Sequence, residues 1–356
     1  MLSLAAAAAL ALGAGDAAAQ AYPWKPERPV TLIVPWAAGG STDQMARIVA
    51  SEIEAELGQK FVVVNQPGAS GSVGTKNALD AAKDGYTWAA GAAVDVGTYR
   101  VLGLLDTGLQ DWHMFFAVAN VTAIAANPGA PFKDFGQFLD VMKQRGGSIP
   151  VGTAGLSSAG HNFMESVKAA SRLEYRHVTY DGGAPAVTAA VSGEVQAVAQ
   201  LLVEMSEHVK AKRLVPLAVL ADKPVPLAGF GELQPTSKWL PQMPAPMNYF
   251  GIWVPKGAPD NVVKTMEMVW ERRIMKSDAL QKYSDARSAL PTPIFGKQAQ
   301  DEAFKMVRFT AWHYHAAGTS TDPPHPLRNP PLSARGRAAS RGGGAARDAT
   351  RACGDP

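Results

Sequence analysis

Four short stretches concentrate the groups able to hold a small anion. The first is Trp36-Ala37-Ala38-Gly39-Gly40-Ser41-Thr42-Asp43, and the second is Gly68-Ala69-Ser70. The third is Thr153-Ala154-Gly155, with Ser157, Ser158 and His161 just beyond, and the fourth is Tyr180 followed by Gly182 and Gly183. All are rich in small or hydroxyl side chains, and none contains Lys or Arg. Where such a loop leads into a helix, its backbone N–H groups point at a guest and the helix dipole adds positive potential. Small side chains let the guest approach the backbone. Carboxylate or phosphate is the natural partner. Each charge-assisted hydrogen bond contributes roughly 1.5–3 kcal/mol. A few of them, offset by desolvation and ordering, reach micromolar affinity, about −8 kcal/mol. Two members of the set have a second role open to them. Asp43 either compensates a helix dipole or meets a ligand amine or a loop. His161 either starts a helix or hydrogen-bonds the ligand.

Catalytic patterns are absent from the sequence. Gly68-Ala69-Ser70-Gly71-Ser72 has Ser where a nucleophile elbow needs its last Gly. Gly68, Gly71 and Gly74 are spaced G-x-x-G-x-x-G, which departs from the dinucleotide fingerprint. The histidines, at 113, 161, 177, 208, 313, 315 and 325, are scattered, and His313 and His315 diverge on a helix. The sole cysteine, Cys353, lies in the C-terminal tail, which excludes a metal–thiolate site in the body. No catalytic residue, metal ligand or cofactor is therefore assigned.

These loops must be positioned by strands and helices, and the flanking residues say which. Val30 to Val34 is a β-branched buried strand. Met45, Ile48, Val49, Ile53 and Leu57 then recur at helical spacing, with Ser41 and Gln44 forming an S-x-x-Q capping box and Gly58 as the stop. Phe61 to Val64 is the next strand, a helix runs to Ala82, and Tyr86 to Ala90 is a third strand. This β-loop-α-β-loop-α-β order marks a parallel sheet. A second set follows. It has strands at 122–125, 149–152, 175–178, 195–201 and 215–220, and helices over 135–142, 162–171 and 185–192. Residues 222–247 are proline-rich and read as irregular. A strand at 252–254 and helices over 261–276 and 298–317 complete the body. The fold class is α/β, with two lobes of mainly parallel sheet and a cleft between them. Lobe 1 comprises residues 22–120 plus 245–318, and lobe 2 residues 121–244.

The chain has 356 residues, 34 Lys+Arg against 31 Asp+Glu, and 47% hydrophobic residues. The whole excess of positive charge lies beyond residue 316, where six Arg face three Asp. A neutral body argues against nucleic acid as the main partner. Residues 1–21 read as a secretory signal peptide, with Ala19-Gln20-Ala21 as the cleavage site, although no basic residue precedes the apolar core. Residues 319–356 are too poor in apolar side chains to bury a core and read as a disordered tail.

Several motifs, in order, resemble the substrate-binding receptors of tripartite tricarboxylate transporters, the Bug receptors. The first runs from Tyr22-Pro23 through Pro29-Val30-Thr31-Leu32-Ile33-Val34-Pro35-Trp36-Ala37-Ala38-Gly39-Gly40-Ser41-Thr42-Asp43 to Ala46-Arg47. Val64-Asn65-Gln66-Pro67-Gly68-Ala69-Ser70-Gly71, Asp84-Gly85-Tyr86-Thr87 and Thr153-Ala154-Gly155 with His161 follow. His177 to Ala186, Leu217-Ala218-Val219 and Phe250 to Pro259 complete the series. The resemblance implies two Rossmann-like lobes similar to type II periplasmic binding proteins, and a periplasmic location. It implies a monomer that binds a small carboxylate and delivers it to membrane permease subunits. The loops at Trp36–Asp43 and Thr153–His161 would hold the carboxylate, partly through water, with Trp36 as an apolar or stacking wall. Gln196 stands where the family usually has Asp, and Pro235-Thr236-Ser237-Lys238-Trp239 departs from its P-T-L-x-E pattern. A periplasmic sensor feeding a histidine kinase, or a carboxylate-processing enzyme on the same scaffold, are the alternative functions.

Overall fold

The computed structural model describes residues 21–243, 245–316, 318 and 320. Apart from Ala21 and Ser320, the expected signal peptide and tail lie outside the described residues.

Val30–Val34 (β1) is almost wholly buried because it is paired on both sides, in parallel with Phe61–Asn65 (β2) and Thr87–Ala92 (β3). A strand enclosed in this way reads as a continuous apolar run. Between β1 and β2, Ser41–Leu57 (α1) turns Met45, Val49, Ile53 and Leu57 onto the sheet at four-residue spacing and ends at Gly58 in the left-handed conformation. The expected capping box does not form. Gly40 is the N-cap, with no side-chain cap bond, and the Gln44 amide donates to the Gly39 carbonyl instead.

Ser72–Asp80 (α2) leads to β3, which passes without a turn into Ala93–Thr98 (α3). Trp112–Asn120 (β4) crosses the sheet, and Thr122–Ala126 (β5) begins the second one. The chain continues through Phe135–Arg145 (α4), Pro150–Thr153 (β6), Ala159–Ser171 (α5), Arg176–Thr179 (β7) and Gly183–Ser192 (α6). Ala197–Leu201 (β8) runs directly into Leu202–Lys210 (α7), and Val215–Leu220 (β9) closes the sheet. The proline-rich stretch is more ordered than expected. It holds an antiparallel hairpin of Val225–Leu227 (β10) and Gly231–Leu233 (β11), then a short 3-10 turn at Thr236–Lys238. Asn248–Pro255 (β12) returns to the first sheet. Asp260–Arg272 (α8), Asp278–Arg287 (α9), Leu290–Pro291 (β13) and Gly296–Ala316 (α10) follow.

The first sheet has strand order β13-β4-β12-β3-β1-β2 and the second β7-β6-β8-β5-β9. In each, parallel βαβ units form one part, and the strands by which the chain enters or leaves run antiparallel to their neighbours. Helices cover both faces of each sheet. Val49, Val262, Met266 and Trp270 pack on one side of the first, and Ala93, Val96, Ala303 and Val307 on the other. Phe135, Phe138 and Phe163 pack on one side of the second, and Ala186, Val187 and Met205 on the other.

The chain passes between the sheets twice. Asn120, the last residue of β4, and Asn248, the first of β12, are register partners there. Both are buried, and neither side-chain amide has a hydrogen-bond partner among the described residues.

Candidate ligand-binding cleft

The glycine-rich loops of the two sheets meet. The Ala37 N–H donates to the Asp181 carbonyl at 2.9 Å. The Leu156 N–H donates to Ser70 Oγ at 2.9 Å, and Ser157 Oγ donates to the Ser70 carbonyl at 2.8 Å. Glycine is needed at this contact, because a Cβ on Gly155 would come within 2.7 Å of Ser70 Oγ, at a φ of +134°. A Cβ on Gly182 would likewise meet Ala37 at 3.1 Å.

Behind these contacts lies a cavity of about 30 Å³, lined by residues of both sheets. Of the sequence candidates, Trp36, Gly40, Ser41, Thr42, Ala154, Ser158 and Gly183 line it. The N-terminal turns of α1, α5 and α6 therefore face one space, with no lysine or arginine among the lining residues. Ser158 caps α5 by accepting the His161 N–H at 3.3 Å. A groove of about 720 Å³ also runs between the C-terminal halves of α7 and α9 and the β10–β11 hairpin. Helix C-terminal ends carry the opposite dipole sign to the N-terminal turns that line the cavity.

The remaining candidates support the loops instead of lining the cavity. Asp43 accepts the Gly39 N–H at 3.0 Å and pairs with Arg47 at 2.8 Å, while Asn65 donates to both Asp43 and the Trp36 carbonyl. These partners hold its carboxyl below the usual carboxylate range, although burial pulls the other way and is the largest single influence. Gly68, Ala69 and Ser70 form the tight turn before α2, where Ala69 and Ser70 adopt positive φ. Thr153 Oγ1 lies 2.6 Å from His177 Nε2, and Tyr180 donates to Glu194 at 2.8 Å. Ala38 and Gly39 are exposed at the loop tip.

His161 is a packing residue in this arrangement. Its Nδ1 lies 2.7 Å from the Leu156 carbonyl and 3.2 Å from the Tyr314 hydroxyl, and its ring stacks on His177 at 4.3 Å. Burial pushes His161 down to about 4 and His177 down to about 3. A histidine depressed in the fold keeps its proton in the unfolded chain up to the ordinary value near 6.5, so stability is lost as pH falls through this window. The stability gap between the wild type and His177→Gln should therefore shrink by about 1.4 kcal/mol per pH unit on acidification from 6.5 towards 4. Urea denaturation at each pH measures it, and a gap independent of pH would contradict the assignment.

Three polar residues of the cleft had no place among the sequence candidates: Asp95, Gln200 and Glu204. Asp95, in the first turn of α3, accepts the Trp36 indole N–H at 3.1 Å. Burial raises it to about 7, opposed by the bonds from Trp36 and the Ala92 backbone. Glu204, in the first turn of α7, reaches across to α1, where its Oε1 accepts the Ser41 N–H at 2.6 Å. Burial raises its pKa, opposed by Ser41 and by the neighbouring Gln200.

The model for the tripartite tricarboxylate transporter family receptor matches residues 45–300. The chain belongs to that family. The receptor is 27% identical over 313 residues to protein BugT of Bordetella pertussis, covering 84% of this chain and 91% of the relative. It is similar to a solved periplasmic transporter at 27% identity and a TM-score of 0.73, covering 80% of this chain and 96% of that one. It also shares its fold with Rpa4515 of R. palustris, solved with adipate, at 24% identity and a TM-score of 0.75, covering 82% and 98%. Among the described residues of the receptor, no helix is long and apolar enough to cross a membrane.

Proposed function

We propose that this chain is a non-catalytic periplasmic receptor. It binds a small carboxylate between two lobes, residues 22–120 plus 245–318 and residues 121–244, and passes it to the membrane permease subunits of a tripartite tricarboxylate-type transporter. The observation that carries the reading is the meeting of three helix N-termini, from both sheets, around one cavity lined by no basic side chain. Dipoles and orphan N–H groups supply the attraction for an anion there. Because the groups come from both lobes, the ligand is held fully only when the lobes meet, which couples binding to closure by rotation at the two crossings. The family and the fold shared with an adipate-bound protein are in keeping with a carboxylate.

A thermal-shift screen of the full chain against a panel of mono-, di- and tricarboxylates tests this. Stabilisation should follow RT ln(1 + [L]/Kd), about 2.7 kcal/mol at a hundredfold excess over Kd. A response to sugars or cations, with none to any carboxylate, would overturn the ligand class.

A further inference from the structure

The half-buried acid of the cleft, Glu204, has no part in holding a ligand carboxylate. Glu204 is a carboxylate of the second lobe seated on the first turn of α1, on the Ser41 amide that a bound anion would otherwise take. Bare backbone at Gly183 admits it, since a Cβ there would lie 2.0 Å from Glu204 Oε2. That Oε2 is buried and has no hydrogen-bond partner among the described residues, and the same is true of Gln200 Oε1 on the adjoining wall. The cleft thus presents two unfilled acceptors. It also carries a second acid, Asp95, already engaged by the Trp36 indole, and no basic side chain to balance either. Unfilled buried acceptors call for donors, and a fixed carboxylate repels a like charge placed beside it.

Resting on the reading of the cleft as a carboxylate receptor, we infer that Glu204 sets its specificity. It holds one anion seat itself and accepts a hydrogen bond from the ligand, so the cleft selects molecules that combine one carboxylate with an ammonium or similar donor over polycarboxylates. The ligand's carboxylate is left the N-terminal turns of α5 and α6, and its donor meets Glu204 Oε2 and the Gln200 carbonyl oxygen.

Calorimetry at pH 7.5 on the wild type, Glu204→Gln and Glu204→Ala tests this with matched probes. The pairs are β-alanine against succinate and 4-aminobutyrate against glutarate, in which an ammonium replaces one carboxylate. The wild type should bind the ammonium member of a pair at least tenfold more tightly. Both substitutions should reduce that preference at least tenfold, with the diacid gaining affinity. A wild type that favours the diacids, or a preference unmoved in both variants while carboxylates still bind, overturns the role of Glu204 and leaves the receptor reading standing. Failure of all three proteins to bind any of the four probes, with no response to the wider carboxylate panel, overturns both.

Discussion

Gly183→Val is expected to weaken ligand binding by about 100-fold or more, equivalent to about 2.7 kcal/mol, while sparing the fold. The first atom of the new side chain would fall 2.0 Å from Glu204 Oε2 and 2.4 Å from Gln200 Nε2, both far ends of flexible side chains. Gly183, Glu204 and Gln200 all line the cavity, so the valine and the side chains it displaces compete for its space. Gly183 is not among the positive-φ residues, so the backbone accepts a β-branched side chain, and the cost to stability is that of displacing the two side chains, about 1–3 kcal/mol. Titration with whichever ligand the thermal-shift panel identifies, alongside a denaturation curve, separates the two effects. Unchanged affinity would remove the α6 end of the cleft from the site.

Trp270→Ala should do the reverse and cost stability. The indole is fully buried on α8, packs on Phe115 with centroids 5.1 Å apart, and donates its N–H to the Phe116 carbonyl at 2.6 Å. That carbonyl lies beside the irregular register between β4 and β12. Deleting a buried tryptophan removes about 3–5 kcal/mol, and the stranded carbonyl adds to it. At roughly 2 °C per kcal/mol for a chain of this size, the melting temperature should fall by roughly 6–10 °C. Trp270→Phe should recover part of this through packing but not through the hydrogen bond. A fall under about 1 kcal/mol for the alanine variant would show that the site collapses freely.

The glycine-rich loops were legible in the sequence because glycine and proline punctuate them. Strand, loop and helix are separated by residues with distinct backbone preferences, as at Pro35–Gly40 and Asn65–Gly71. The two acids of the cleft were not legible, and for one shared reason. Asp95 and Glu204 both follow places where a strand becomes a helix without a turn, at Ala92/Ala93 and at Leu201/Leu202. At each junction the residues on both sides are apolar, Ala92-Ala93-Val94 and Leu201-Leu202-Val203, so the change of period has no marker. Leu202, Met205 and Val209 do recur at helical spacing, and that faint signal was the one available for α7. Likewise, the pairing of Ser41 with Gln44 matched a local capping pattern, but its outcome was decided by Glu204, 163 residues away in the chain. Local rules cannot see a partner at that distance.

The asparagine pair where the chain passes between the sheets has a bearing on how the two sheets are joined. Asn120 and Asn248 are register partners, and their four buried side-chain amide atoms have no hydrogen-bond partner among the described residues. Any movement that lets water reach them recovers roughly 1–3 kcal/mol for each group it wets. Wetting of the seam would therefore be locally favourable, whereas the Ser70–Leu156 and Ala37–Asp181 bonds favour contact between the loops of the two sheets.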